Sequence, residues 1–381
     1  MSHTKKAAFL SFFYFFHFGT LGIFIPFVAL YLKHNGFSGK DIGLFITVIS
    51  IIKFLLTNTW TKTYNKIKSK TVFVITAILV SNVSVILLLS KNYLLTFLTF
   101  IIYAVTRVGI LPVMDHISNE FSRESGIEYG KIRMYGSIGF ICFTTFTGLL
   151  VDYFSINVFI TMTILTGFLS AITILFIKLE NIERAKYKQD SNKLSFDFKI
   201  ILIASILHYI SLTFFHNFLN IKVEYLNESQ TIAGTIWSIG IFAEILLMFF
   251  SNKLFKKISP FTLLIFSMFL GGVRSLVIGY AESAMVLLFI NTIHGFAFGT
   301  FHLSIIRYIK DYIAAESRLK AQSFYSSLIY GLGAIFGSIL SGYLFDFVGV
   351  NHMFMIGSIF SFFATIILLL YRKKFLLKYQ L

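Results

Sequence analysis

Long apolar stretches recur along this sequence, and most of them are long enough to cross a lipid bilayer as a helix. Hydrophobic residues make up 56% of the 381 residues and charged residues only 13%, whereas a soluble protein carries about 25% charged residues. The mean hydropathy is +0.80. Since helices satisfy their own backbone in lipid and the alternation of a membrane barrel is missing, the sequence predicts an all-α integral membrane protein with 12 transmembrane helices. The predicted spans are residues 7–32, 42–60, 71–90, 92–117, 132–154, 156–178, 197–221, 231–252, 260–280, 283–307, 319–345 and 350–371.

Basic residues concentrate in every second loop between the predicted spans. With the N-terminus placed in the cytoplasm, 26 of the 33 Lys and Arg residues fall on the cytoplasmic side and four fall outside. Cytoplasmic loops of membrane proteins carry such an excess, which predicts that both termini are cytoplasmic. The net charge of +16 then reflects membrane topology and not nucleic-acid binding. We expect a multi-pass protein of a bacterial inner or plasma membrane, whose first apolar stretch is a span and not a cleaved signal peptide.

The two halves of the sequence resemble each other at a nearly constant offset. Residues 61–70 (TKTYNKIKSK) correspond to residues 251–260 (SNKLFKKISP), 190 positions later. The span that ends at Gly148–Asp152 corresponds to the span that ends at Gly342–Asp346, 194 positions later. Repeated halves with a site near the membrane midplane are typical of secondary transporters. The predicted parts are an N-terminal six-helix half (1–179), a cytoplasmic linker (180–196) and a C-terminal six-helix half (197–381).

A polar segment between two apolar stretches contains charges of opposite sign just inside the predicted spans. The segment is 112–140, and the two charges are Asp115 and Arg133. A charge within a membrane costs roughly 2.5–3.5 kcal/mol on insertion scales unless it is paired or faces water. We therefore predict that this pair lines a polar cavity through which a solute passes.

Five segments resemble the major facilitator superfamily, and in particular its lactose permease and phenylpropionate permease branches. They are EYGKIRMYGSIGF (128–140), WSIGIFAEILLMFFSNKLFKKIS (237–259), GGVRS (271–275), HGFAFGTFHLSIIRYI (294–309) and GTLGIFIPFVALYLKHNGFSGKDIGL (19–44). The resemblance extends over nearly the whole chain. It implies a fold of two six-helix halves with the site between them, and a secondary transporter that moves a small solute by alternating access.

The resemblance also implies roles for individual residues. Asp115 and Arg133 match the acidic residue and the arginine that form the sugar-binding pair of lactose permease. Glu244, Arg274 and His294 match a glutamate, an arginine and a histidine that take part in substrate binding and proton coupling in that relative. These five residues are therefore expected to contribute to the transport site.

The sequence departs from the family pattern at Ala297, where lactose permease has the glutamate that releases the proton. If proton coupling survives, another group must bind the proton. Glu244 has apolar neighbours, and a carboxyl group in such surroundings can hold a proton near neutral pH; the alternative is a structural carboxyl hydrogen-bonded to a neighbouring helix. Arg274 is the expected partner of Glu244. His294 and His302 lie about two turns apart on one face and either relay protons or pack as hydrogen-bonded histidines.

Four basic residues stand within or at the ends of the predicted spans, against two acidic ones. The basic residues are Lys53, Arg107, Arg133 and Arg274, and the acidic ones are Asp115 and Glu244. This surplus of positive charge favours a cavity for a carboxylate or another anion, with Lys53 and Arg107 as further substrate-binding residues. Arg107 lies eight residues before Asp115 and is expected on the same helix face. Lys53 could instead pair with Asp115 or Asp41, or extend its side chain to the membrane surface.

Taken together, these features predict a proton-coupled symporter of a small organic solute, which is an aromatic or other carboxylate, a sugar or a nucleoside. A proton-independent facilitator or an efflux carrier is the alternative within transport. Outside transport, the alternatives are a membrane sensor and a lipid-modifying enzyme. An enzyme is not expected, because the loops are short and lack a nucleophile set, and the sequence has no P-loop for ATP hydrolysis.

No cofactor is expected, and a proton gradient would supply the energy. No metal site is predicted, because Cys142 is the one cysteine and two histidines eight residues apart on a helix cannot chelate one ion. His208 and His216 show this spacing, as His294 and His302 do, and for that first pair packing is favoured. The expected partners are a small-molecule substrate, protons and the lipid bilayer, without nucleic acid, and we expect a monomer.

Overall fold

The computed structural model describes residues 3–179 and 194–379, and these residues are almost entirely helical, with no β-strand among them. The α-helices, in chain order, are α1 (His3–His34), α2 (Gly39–Lys66), α3 (Lys70–Val83), α4 (Tyr93–Arg107), α5 (Ile110–Ser125), α6 (Tyr129–Tyr153), α7 (Val158–Ile174), α8 (Phe196–Tyr225), α9 (Gln230–Lys257), α10 (Pro260–Tyr280), α11 (Ala284–Asn291), α12 (Phe301–Tyr312), α13 (Arg318–Ser327) and α14 (Ala334–Tyr379). Short 3-10 segments occupy Ser84–Ser90 and Ala315–Ser317, and π-helical segments occupy Gly295–Thr300 and Leu328–Gly333.

The all-α membrane architecture predicted from the sequence is confirmed. Each predicted span coincides with helix over most of its length. Ten stretches of the described residues are long and apolar enough to cross a membrane, and α7 is a shorter apolar helix. The longest stretch, Ala315–Lys373, contains Gly349, where a backbone φ of 76° interrupts the helix between the last two predicted spans. The count of 12 spans and the cytoplasmic termini stay predictions.

The helix that was expected over residues 92–117 is divided at Val108 and Gly109, between α4 and α5. Both residues keep right-handed helical dihedral angles, and residues 93–125 together form one candidate span. A Cβ atom at Gly109 would overlap the indole ring of Trp60, so glycine lets Trp60 pack where the two helices meet.

The described residues form two compact units. The first unit contains the described residues within Met1–Phe37, Val48–Lys186 and Ser229–Gly234. The second unit contains the described residues within Ser38–Thr47, Tyr187–Glu228 and Thr235–Leu381. The core of the first unit includes Phe13, Tyr64, Met114 and Phe121. The core of the second unit includes Phe198, Met268, Tyr308 and Phe375. The predicted halves, 1–179 and 197–381, stay a prediction, and most of the predicted linker, residues 180–193, lies outside the described residues.

The two aspartates of the sequence repeat play equivalent structural roles. In the first unit, Asp152 accepts hydrogen bonds from the backbone N–H groups of Gln230 (2.7 Å) and Thr231 (2.8 Å) at the start of α9. In the second unit, Asp346 accepts from the N–H groups of Gly39 (2.6 Å) and Lys40 (2.8 Å) at the start of α2. The first N–H groups of a helix have no partner within it and attract negative charge. Each aspartate therefore stabilises the beginning of a helix.

Replacing either aspartate by Asn should remove the charge and leave one acceptor oxygen. We expect Asp152→Asn and Asp346→Asn each to lower the free energy of unfolding by about 1–2 kcal/mol, and the double variant to show the sum. The matched control is Asp311→Asn, because Asp311 forms a half-exposed pair with Arg307 on one helix, worth about 0.5 kcal/mol or less. Thermal unfolding of the purified protein, followed by tryptophan fluorescence, measures all four variants. Equal melting temperatures for Asp311→Asn and the two repeat variants would contradict this role.

Candidate functional site

The first cluster of polar side chains joins α1, α5 and α6 around Asp115. The Tyr14 hydroxyl lies 2.7 Å from Asp115 Oδ1, and the Tyr129 hydroxyl donates to the same oxygen at 2.9 Å. The Tyr14 hydroxyl is also 3.2 Å from Ser118 Oγ. Asp115 is half-buried and Tyr14 is fully buried. The carboxylate that the sequence placed just inside a span is therefore partnered by two tyrosine hydroxyls.

Arg133 lies beside this carboxylate without a hydrogen bond to it. Its Nε is 3.9 Å from Asp115 Oδ1, and 29% of its side chain is exposed. The guanidinium carbon stands 3.8 Å from the centre of the Phe18 ring and 5.3 Å from that of Tyr14. Within the described part of the chain, no hydrogen bond from the Arg133 guanidinium is found. The arrangement leaves a cation with unused donors above an aromatic ring.

The other two predicted substrate-binding residues lie on α4 and α2. The Arg107 guanidinium donates from Nη2 to the His17 carbonyl oxygen at 3.0 Å and lies over the Tyr103 ring. Arg107 and Asp115 both contact α1, at His17 and Tyr14, which stand three residues apart, as a shared helix face predicts. Lys53 lies on an exposed part of α2.

In the second unit, the buried Arg274 hydrogen-bonds to a different partner from the one predicted. Arg274 is 2% exposed, and its Nε and Nη2 donate to Asn291 Oδ1 at 2.9 and 2.6 Å. The amide nitrogen of Asn291 in turn donates to the Ile236 carbonyl oxygen. The guanidinium carbon is 3.6 Å from the centre of the Phe215 ring. The expected pair of Arg274 with Glu244 is wrong, because the neutral side chain of Asn291 takes that place.

The remaining predicted proton-coupling residues lie along α9 and around the π-helical segment before α12. Glu244 is half-buried on α9, with its Cγ facing Gly299. His294 is 5% exposed and stacks on the rings of Phe215 and Phe298. Among the described residues, His294 Nδ1 has no hydrogen-bond partner. His294 is thus buried among aromatic rings close to Arg274.

Three further histidines have clear surroundings. His208 is buried, with Nδ1 2.9 Å from Ser361 Oγ and Nε2 3.1 Å from the Ala297 carbonyl oxygen. Both of its nitrogens are satisfied, which confirms the expected packing role. His216 stacks on the Trp237 ring, with centroids 5.8 Å apart. His302 Nδ1 lies 2.8 Å from the Tyr325 hydroxyl.

Several residues of these clusters were missed by the sequence analysis, namely Tyr14, Phe18, Tyr129, Asn291, Tyr325 and Tyr330. The aromatic ones could not be distinguished among the 47 Phe and 19 Tyr of the sequence. Asn291 did carry a signal, since an amide within an apolar helix is usually hydrogen-bonded and it stands three residues before His294. Its partner, Arg274, lies on another helix, and spacing along the sequence does not show which residues of two helices meet.

This chain is similar to known proteins over nearly its whole length. A family model described as "MFS_1 like family" matches residues 8–356. A protein of Escherichia coli (strain K12) named "Probable 3-phenylpropionic acid transporter" is 25% identical, over 88% of this chain and 90% of the relative. The "Maltose permease" of Geobacillus stearothermophilus is 21% identical, over 95% of this chain and 93% of the relative.

Two solved structures have the same fold as this chain. The crystal structure of nucleoside transporter NupG gives a TM-score of 0.80 at 19% identity, covering 97% of this chain and 98% of that one. The structure of a bacterial homolog of the human lysosomal transporter Spinster gives a TM-score of 0.74 at 11% identity, covering 98% of both chains.

Proposed function

Because this chain belongs to the MFS_1 like family, we propose that it is a proton-coupled symporter of a small organic carboxylate. It is a multi-pass membrane protein and a secondary transporter of small solutes, not an enzyme. Alternating access would expose the bound solute first to one side of the membrane and then to the other.

The observation that carries the proposal is the state of Arg133. Its side chain is 29% exposed, and its Nε lies 3.9 Å from Asp115 Oδ1, an oxygen that already accepts hydrogen bonds from two tyrosine hydroxyls. A guanidinium presents a planar fork of donors that matches a carboxylate. In this proposal Arg133 binds the carboxylate of the solute, and Asp115 with its two tyrosines fixes the walls of the site.

An aromatic carboxylate fits these surroundings best. Phe18 lies under the Arg133 guanidinium at 3.8 Å, so a phenyl ring attached to the bound carboxylate would find an aromatic neighbour. The E. coli relative at 25% identity is named as a transporter of such an acid, 3-phenylpropionic acid. Arg274 supports the preference for an anion, because its hydrogen bonds go to a neutral amide.

Proton coupling is assigned to the second unit, where Glu244, Arg274, His294 and His302 are found. Moving one carboxylate with one proton transfers no net charge, so the pH gradient and not the membrane potential would drive accumulation. A gradient of one pH unit corresponds to about 1.4 kcal/mol, or roughly tenfold accumulation. No cofactor is needed for this step.

A ligand screen on the purified protein tests the substrate class. Binding of 3-phenylpropionate should raise the melting temperature, since a ligand that binds the folded state stabilises it. The matched control is 3-phenylpropanamide, which has the same ring and chain without the charge and should give no shift. Maltose, lactose and uridine should also give none. Stabilisation by a sugar or nucleoside, with no response to the carboxylate, would contradict the proposal.

A further inference from the structure

The geometry points to His302, Tyr325 and Tyr330 as the proton-binding site of this transporter. The inference rests on the proposed symport and names the group that takes the place of the family glutamate missing at Ala297. Neither tyrosine stands out in the sequence. His302 was a candidate there on its spacing from His294 alone, whereas the structure gives it two specific partners.

Three polar atoms of the second unit, from α12, α13 and the π-helical segment Leu328–Gly333, meet at this point. His302 Nδ1, on α12, lies 2.8 Å from the Tyr325 hydroxyl oxygen on α13 and 3.1 Å from that of Tyr330. The two hydroxyl oxygens are 3.4 Å apart. Tyr325 is fully buried, and His302 and Tyr330 are half-buried. One ring nitrogen therefore has two hydroxyl neighbours within hydrogen-bond distance.

This triangle can bind and release one proton while its heavy atoms stay in place. In the neutral state, with hydrogen on Nε2, the Nδ1 atom of His302 accepts from the Tyr325 hydroxyl. When a proton adds to Nδ1, that N–H donates to the Tyr325 oxygen, and the Tyr325 hydrogen turns toward the Tyr330 oxygen. The cluster then carries one more proton and one more positive charge, and release reverses both changes. A charge-assisted bond from the imidazolium stabilises the loaded state.

Other titratable groups face the cluster from the helices around it. Tyr209 on α8 meets the Tyr330 ring edge-on at 5.2 Å. Glu244 on α9 is half-buried, and its Cγ faces Gly299 in the π-helical segment that precedes His302. On the helix of His302 itself, the Phe298 ring stacks between His302 and His294, at 6.5 and 5.7 Å. A negative Glu244 would favour the protonated cluster, which links this site to the predicted proton-coupling residues.

The backbone around the cluster is irregular on both sides. A π-helical segment, Gly295–Thr300, ends two residues before His302, and the second one, Leu328–Gly333, contains Tyr330. Single π-helical turns occur frequently at functional sites. Ala297 lies in the first segment and is fully buried, and its carbonyl oxygen is within hydrogen-bond distance of His208 Nε2.

The test compares two activities of the protein: exchange of substrate across the membrane, and net uptake of substrate together with protons. In proteoliposomes, His302→Gln should keep substrate counterflow within about threefold of the wild type, because exchange needs no net proton release. With an inside-alkaline gradient of one pH unit, which should give roughly tenfold accumulation in the wild type, its rate of uptake should fall to that of protein-free liposomes. Its substrate-induced proton uptake should be lost as well.

Removing single hydroxyl groups gives a second, milder readout. Tyr325→Phe keeps the ring but removes the acceptor of the imidazolium hydrogen, so the midpoint of the uptake–pH profile should move to lower pH by about one unit. Tyr330→Phe should move it in the same direction by less. The matched control is Tyr209→Phe, which keeps the edge-on ring contact and should leave the profile unchanged.

The outcomes distinguish failure of this site from failure of the symport. If the wild type couples transport to protons and His302→Gln still shows full gradient-driven accumulation, His302 is not the proton-binding site, although the symport stands. If the wild type itself shows no proton coupling, both the proton-binding site and the symport are refuted. If His302→Gln fails to fold, the tyrosine variants decide, and an unshifted profile in Tyr325→Phe overturns the inference.

Discussion

Replacement of Arg133 by Gln is expected to weaken binding of 3-phenylpropionate roughly hundredfold. The substitution removes the cation that binds the carboxylate, and loss of one partner of a desolvated charge pair costs about 3 kcal/mol. Arg133→Lys keeps the charge but loses both the planar fork and the stacking on Phe18. We expect an intermediate loss of roughly tenfold for this variant. Equilibrium binding of radiolabelled 3-phenylpropionate measures both changes.

The matched control for this prediction is Lys131→Gln. Lys131 stands two residues before Arg133, but its side chain is 72% exposed and it pairs with Glu128 at 3.6 Å in water. Removing this equal charge should leave affinity within about twofold, since exposed pairs contribute little. An Arg133→Gln protein that binds as tightly as the wild type would show that the carboxylate is recognised elsewhere.

Replacement of Asn291 by Leu is expected to destabilise the second unit by about 3–5 kcal/mol. The Asn291 side chain accepts both hydrogen bonds from Arg274 and donates to the Ile236 carbonyl. Leucine has nearly the same size but no polar atom, so the variant leaves a buried guanidinium without its partner. Thermal unfolding in detergent should show a large fall in melting temperature and a lower yield of monodisperse protein.

The double variant Arg274→Met/Asn291→Leu separates the loss of a partner from the loss of packing. With the charge removed as well, the cost of an unpaired buried ion disappears. We expect the double variant to be more stable than Asn291→Leu alone, which corresponds to a favourable coupling between the two side chains. A double variant that is less stable than either single variant would show that the hydrogen bonds between them are not what Asn291 contributes.

The same pair shows where reasoning from the sequence reached its limit. Hydropathy placed Arg274 inside a helix, and the family resemblance offered Glu244 as the nearest acid. Which side chain meets Arg274 depends on the rotation of neighbouring helices, which spacing along one helix does not determine. An amide oxygen can accept hydrogen bonds from a guanidinium, as a carboxylate can. Because the prediction considered only acidic partners for Arg274, it did not include Asn291.

A second limit concerns the partner of a residue on a known helix face. Arg107 and Asp115 are eight residues apart, and both contact α1, as a shared helix face predicts. The partner of Arg107, however, is the backbone carbonyl oxygen of His17. A backbone carbonyl group is present at every residue, so the sequence pattern could not identify this one as the acceptor.

Patterns that depend on local chemistry were more reliable. The repeated Gly148–Asp152 and Gly342–Asp346 segments were visible in the sequence as matching strings. In the structure, both aspartates bind the first N–H groups of a helix, which explains why the same residue type stands at the same place twice. The positions of the apolar helices followed directly from hydropathy, because a membrane span needs about 20 apolar residues wherever it occurs.

The central claim is that this protein couples a carboxylate to a proton, and uptake into proteoliposomes tests it most directly. With an inside-alkaline gradient of one pH unit, wild-type proteoliposomes should take up 3-phenylpropionate to roughly tenfold accumulation. They should do so much faster than liposomes containing Arg133→Gln or no protein, which report passive diffusion of the acid. A potassium diffusion potential without a pH gradient should drive no accumulation. Uptake at the same rate in all three preparations, or uptake that only equilibrates whatever the gradient, would contradict the claim.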